Sequence, residues 1–220
     1  MRQLILALLP DRPPTLDNFV PGGNGETLAA FSAWLAGAGN ETSFCLWGTA
    51  GSGRSHLLRA SGFAHVDAAA DPTLATAPAA DQLAVDHIEA LNEAGQIALF
   101  NHFNRLKTAS GMLLTAAGQP PAHLGLREDL RTRLGSGLIY RLQPLSDAEK
   151  AAALATQAKE RALKLTPEAI DYLMRHAPRD MRTLSGIVVA LDRYTLEHKR
   201  AVTLPLLREL LTETLPLDPQ

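Results

Sequence analysis

The chain has a single cysteine, Cys45, among 220 residues. That excludes a disulfide framework and any metal site built on paired thiolates, and makes a reducing, cytoplasmic setting the default. Strong charge of either sign is missing as well: 21 Lys and Arg against 23 Asp and Glu leave a formal net charge of −2. No overall basic field would draw such a protein to DNA or to an anionic membrane. Long apolar runs are also scarce. Residues 1–9 (MRQLILALL) contain only Arg2 before the apolar stretch, and they run into Asp11 and Arg12 without a small-x-small cleavage pattern. This argues against a secretory signal. No other stretch approaches the roughly 18 apolar residues of a membrane span. The expectation is a cytoplasmic protein with no membrane partner, large enough for one domain and a small satellite.

What is present is a change of period along the chain. Residues 9–25 collect Pro10, Pro13, Pro14, Pro21, Gly22, Gly23 and Gly25, and read as a tether or an irregular lead-in loop outside the packed structure. Residues 26–37 place Leu28, Phe31, Trp34 and Leu35 on one helical face. Short apolar runs follow at Phe44-Cys45-Leu46-Trp47, around His65-Val66-Asp67, at Leu83-Ala84-Val85-Asp86 and at Met112-Leu113-Leu114-Thr115. They alternate with helical stretches, notably 89–108, and so predict an α/β fold on a parallel sheet. The Ala- and Pro-rich segment 68–80 is expected to be a surface loop. After Pro144 the pattern turns helical. Ser146 with Glu149 makes a capping box, Thr166-Pro167-Glu168 is a helix start, and stretches near 180–198 and 205–215 complete an expected four-helix appendage.

The most informative segment is Gly48-Thr49-Ala50-Gly51-Ser52-Gly53-Arg54-Ser55, which fits G-x-x-x-x-G-K-[ST] except for arginine in place of lysine. Gly48, Gly51 and Gly53 let the backbone curl so that N–H groups face one centre, with Ser52 and Arg54 in the loop and Ser55 and His56 opening the following helix. Ser55 offers a hydroxyl to Mg2+. Asp86 closes the third apolar run and reads as the acid that holds the same ion. Gly48, Gly51, Ser52, Gly53, Arg54, Ser55, His56 and Asp86 are therefore candidates for binding an adenine nucleotide, ADP or ATP. Two features of these segments, Arg54 and His87, weaken hydrolysis, and Ala116 just after the fourth apolar run is a third. Guanidinium at Arg54 is broad and planar where a compact ammonium is usual. His87 follows Asp86 where a second acid would polarise water, and reads as a solvent-edge residue. Glu89 is near in sequence but on a different direction of the chain.

LDNFVPGGN, GTAGSGRSHLL, LAVDHIE, LRTRLGSGL and TPEAI…RDMRTLSGIVVALDR, in this order from about residue 15 to 195, resemble successive boxes of the bacterial replication initiator DnaA, a family of AAA+ proteins. The arginine of the loop, the GRSHLL run and the stop at Gln220, where the initiator continues into a DNA-binding domain, look most like the short regulatory homologues of the Hda type. This resemblance implies an AAA+ P-loop domain over 15–144 and a helical lid domain over 145–220, behind a peptide and tether at 1–14. It implies that Arg133 is an arginine finger acting in trans, and that Arg182 senses nucleotide phosphates from the lid. The sensor strand of the family ends in a polar residue, whereas this chain reads Thr115-Ala116-Ala117; Thr115 is displaced or points away, and at most a weak ATPase is expected.

The resemblance also bears on the N-terminus. Gln3-Leu4-Ile5-Leu6-Ala7-Leu8 is similar to the peptide by which bacterial proteins bind the β sliding clamp. An extended strand would send Leu4, Leu6 and Leu8 to one side, into an apolar groove, with Gln3 in a polar niche. The implied function is negative regulation of replication initiation: a nucleotide-bound protein, docked on clamp loaded on DNA, stimulates hydrolysis of ATP held by DnaA. Association with nucleoid and replisome follows, and the family's habits leave a homo-oligomer open. The alternative is a standalone ATPase of the helicase-loader type.

Overall fold

The computed structural model describes residues 13–198 and 202–208. Five strands form one parallel sheet: β1 (Ser43–Trp47), β2 (Ala64–Asp67), β3 (Gln82–Asp86), β4 (Met112–Ala117) and β5 (Leu138–Arg141), in the order β2-β3-β4-β1-β5. The short continuous apolar runs become the inner strands because both their faces are covered. Alternate residues feed two cores. Leu83, Val85 and Leu113 pack with Leu99, Phe103, Leu106, Leu130 and Leu134 of α3 (Glu93–Thr108) and α4 (Glu128–Gly135). Phe44, Leu46, Ala84 and Leu114 pack with Phe31, Trp34, Leu57 and Leu58 of α1 (Gly25–Leu35) and α2 (Arg54–Ala60).

Since all strands run the same way, everything that follows a strand lies at one edge of the sheet. β4 sits between β1 and β3, so a single strand separates the glycine loop after β1 from Asp86 at the end of β3.

Two sequence expectations need correcting, and a third gains detail. The glycine- and proline-rich lead-in is irregular and largely exposed, as expected, but it is not wholly outside the packed structure: Phe19 and Val20 are half-buried. Asn24 is buried, its Nδ2 donating to Gln143 O (2.9 Å) and to Pro21 O (3.0 Å) while its Oδ1 accepts from Gln143 N (2.8 Å). An amide side chain carries one donor and one acceptor arm, so it pairs with the chain beyond β5 much as a backbone would. Segment 68–80 is the expected surface loop, and it is tied down: Leu74 is buried, and the Asp71 carboxylate accepts from the N–H and hydroxyl of both Thr73 and Thr76. Those bonds hold its pKa well below the usual carboxylate range. The helical stretch 89–108 divides into a 3-10 turn at Ile88–Ala90 and α3, which Asn92 caps by accepting from Gly95 N (2.9 Å).

The described chain falls into two compact units, Pro13–Pro144 and a helical unit beginning at Leu145. In the latter, α5 (Asp147–Glu160) starts with the Ser146–Glu149 capping box, and α6 (Pro167–His176) with Thr166 accepting from Ala169 N. Asp180 Oδ1 accepts from Thr183 N (2.8 Å) at the start of α7 (Met181–His198). Leu154, Leu173, Leu184, Val188, Leu191 and Leu207 form its core. Residues 204–208 are helical; the remainder of the fourth expected helix lies outside the described residues. Among the described residues no helix is long and apolar enough to cross a membrane.

Candidate nucleotide site at the carboxyl edge of the sheet

The loop after β1 adopts backbone shapes that its glycines permit. Gly51 and Gly53 have φ of +78° and +97°, in the region costly for residues with a Cβ. Gly48 leaves no room for a side chain, since a Cβ there would strike the carbonyl oxygen of Leu142. Gly48 N donates to Ala117 O (3.2 Å), which binds the loop to the tip of β4. Two polar atoms in the loop are buried without a hydrogen-bond partner, Ser52 Oγ and Arg54 Nη1. Such atoms cost about 1–3 kcal/mol each when unpaired. Glycine curls around buried donors are suited to the oxygens of a polyphosphate, and Gly48, Gly51, Ser52, Gly53 and Arg54 fit one. Ser55, next in α2, is half-buried beside them. His56 Nε2 lies 2.9 Å from Thr15 O and, facing a carbonyl, donates to it; its ring also meets Phe19 edge-on at 5.3 Å. Burial holds the imidazole below its ordinary pKa, the Thr15 carbonyl opposing this in part. His56 thus commits a ring nitrogen to the lead-in segment.

Across β4, Asp86 is 1% exposed and its Oδ1 accepts from His87 N (3.0 Å). The next two polar residues leave the strand tip in opposite directions. His87, far from being a bare solvent-edge residue, has a φ of +53°, and its Nδ1 donates to Asp67 Oδ1 (2.8 Å). Asp67 ends β2 at the outer side of β3, so the imidazole is turned away from β4 and the glycine loop. Burial pushes the Asp67 carboxyl up, but the His87 bond and the Ala69 N–H outweigh it and bring it below the ordinary range. Glu89 turns the other way: its Oε1 accepts from Gly118 N (3.0 Å), just past β4. The left-handed His87 and the buried Ile88 create that reversal. A glutamate three residues after a strand-ending aspartate was the only available sequence signal.

Thr115 lies in the interior of β4, fully buried, in register with Cys45 and Val85. Its hydroxyl is buried below the strand tip, beside the Cys45 thiol of the neighbouring strand. Burial pushes the neighbouring Cys45 thiol up to about 11. Among the described residues no group of three or more His, Cys, Asp or Glu could hold a metal ion by itself. Ser55 and Asp86 offer one hydroxyl and one carboxylate, the donor set of an Mg2+ that draws its other ligands from phosphate and water.

Arg133 lies in the last turn of α4, half-buried, with its guanidinium carbon 5.9 Å from the Phe100 ring centroid and no ion pair to another described residue. By contrast, Arg127 at the start of α4 is held by Asp129 through bonds of 3.2 and 2.9 Å. Arg182 is exposed, second in α7 of the helical unit. Gln3, Leu4, Leu6 and Leu8 lie outside the described residues.

A parallel sheet of this order, a glycine loop after β1 and an acid ending β3 define a P-loop domain of the AAA+ class followed by a helical lid. The fold is that of domain III of DnaA from Thermotoga maritima, with 20% identity, a TM-score of 0.70 and coverage of 94% of this chain and 98% of that one. DnaA from Aquifex aeolicus in its AMPPCP-bound form shares it, with 23% identity, a TM-score of 0.64 and coverage of 84% and 69%. So does a RuvB variant from Thermotoga maritima, with 18% identity, a TM-score of 0.61 and coverage of 93% and 72%. Residues 147–211 match the family model of the Hda lid domain. The chain is thus similar to DnaA in the fold of its body and to the Hda family in its lid.

Proposed function

We propose that this protein binds an adenine nucleotide, ADP or ATP, and acts as a negative regulator of replication initiation by stimulating hydrolysis of ATP bound to DnaA. The observation that carries the reading is an Hda-type lid joined to a DnaA-like body. Nucleotide binding is supported by the glycine curl with its two unpaired buried donors, and by the AMPPCP held by a similar DnaA. Gly48, Gly51, Ser52, Gly53 and Arg54 would hold the phosphates. Ser55 and Asp86 would hold Mg2+, and Arg182 would sense nucleotide from the lid. The bound nucleotide supplies a fixed shape here, not a fuel, since the residue after Asp86 is an imidazole tied to Asp67.

The activating group in this proposal is Arg133. A guanidinium resting on an aromatic ring with no carboxylate partner keeps its fork available to a phosphate in a neighbouring subunit. The β sliding clamp on DNA would be engaged through Gln3, Leu4, Leu6 and Leu8, which places the protein at the replisome. Turnover of ATP by DnaA, measured with clamp and DNA, tests the scheme. Arg133→Ala is expected to lose stimulation by roughly 10³-fold or more, the low end of what an arginine supplied in trans contributes. Undiminished stimulation would remove Arg133 from the mechanism, and retained clamp binding after Gln3→Ala with Leu4→Ala would remove the peptide.

A further inference from the structure

Glu89 carries a carboxylate to the tip of β4. Its Oε1 accepts from Gly118 N at 3.0 Å, and Ala117, the preceding residue, accepts from Gly48, the first glycine of the loop. Arg54 comes to the same place from the other side. A Cβ built on Gly118 would lie 3.4 Å from Glu89 Oε1 and 4.0 Å from Arg54 Nη1. Carboxylate and guanidinium therefore converge on one point beside the loop without an ion pair within 4.0 Å, and Nη1 remains buried with no hydrogen-bond partner. Arg54 occupies the motif position that reaches the β- and γ-phosphates, so its guanidinium marks the outer-phosphate end of the cradle.

We infer that Glu89 sets the preference of this site for a nucleoside diphosphate over a triphosphate, its carboxylate standing beside Arg54 as a built-in substitute for a third phosphate. The inference rests on the nucleotide-binding reading above. With a diphosphate in the loop, Glu89 keeps the Gly118 N–H and balances the charge of Arg54. A third phosphate brings further negative charge to the same two donors, and the two anions repel at short range. His87 has no part in this discrimination, since its ring is directed to Asp67 on the other side of β3.

The test is titration calorimetry with ADP and with AMPPCP, each with and without Mg2+, on the wild-type chain and on Glu89→Gln. Glutamine retains an acceptor for Gly118 N and removes only the charge. The expected result is AMPPCP affinity raised by about tenfold, with ADP affinity changed by less than about twofold. Glu89→Ala should shift the ratio in the same direction, and since Glu89 is exposed both variants are expected to fold, as thermal melts would verify. An unchanged ADP-to-AMPPCP ratio in both variants overturns the inference. So does loss of both affinities only when Mg2+ is present, which would make Glu89 a metal ligand. Failure of the wild type to bind either nucleotide would instead overturn the reading on which it rests.

Discussion

The glycine loop after β1 and the tip of β3 face the same edge of the sheet, yet they treat their polar groups in opposite ways. In the loop, Ser52 Oγ and Arg54 Nη1 are buried with no hydrogen-bond partner among the described residues. At the tip of β3 the groups satisfy one another: Asp86 accepts from the His87 backbone, His87 donates to Asp67, and Glu89 accepts from Gly118. A buried donor without a partner is a standing cost, tolerated where something outside the chain repays it; a closed network is a structural support. The loop is thus shaped to take a ligand from outside the chain, whereas the strand tip holds its own shape.

The sharpest way to break this comparison is Gly48→Ala. A methyl group against the Leu142 carbonyl should cost about 1–3 kcal/mol of stability by overpacking, and should abolish stabilisation by added ADP. Thermal denaturation with and without ADP measures both, and persistent ADP stabilisation would show that the loop is not the cradle. A smaller effect is expected from Asp67→Asn at the tip of β3. Asp67 is partly exposed, so the loss should stay under about 1 kcal/mol. ADP affinity should change by less than about twofold; a larger drop would place the Asp67–His87 pair in the binding site.

Stability against pH sharpens the same contrast. Burial lowers the pKa of His56, His65 and His102 below the ordinary 6.5. The unfolded chain then takes up protons that the folded chain refuses, so this stability is present above 6.5 and is lost as pH falls through the folded values. Melting temperature should fall over that acid range, and His56→Gln should flatten part of the slope. The smallest effect is chemical. Cys45, with its thiol pushed up to about 11, should resist alkylating reagents at neutral pH in the folded protein and react once unfolded.

The three inner strands β1, β3 and β4 were legible because continuous apolar runs mark strands covered on both faces, and β2, at one edge, through the short run at His65-Val66-Asp67. β5 was not: at the edge of the sheet Leu138, Ile139, Tyr140 and Arg141 alternate in exposure, and so short a run carries little signal. The packed part of the lead-in was missed for a different reason. Proline and glycine rule out regular elements but say nothing about Asn24 pairing with Gln143, 119 residues away. The glycines of the cradle could be read directly, because their spacing is the constraint itself.

Local chemistry in the sequence therefore settled the glycine loop, the caps of α5 and α6, and the parallel strands that bring the loop and Asp86 to one edge. What only the tertiary structure decided was direction at that edge. A left-handed His87 sends the imidazole to β2 and Glu89 to β4, since which neighbour a turn residue meets depends on strand order, and strand order is set by packing between distant segments.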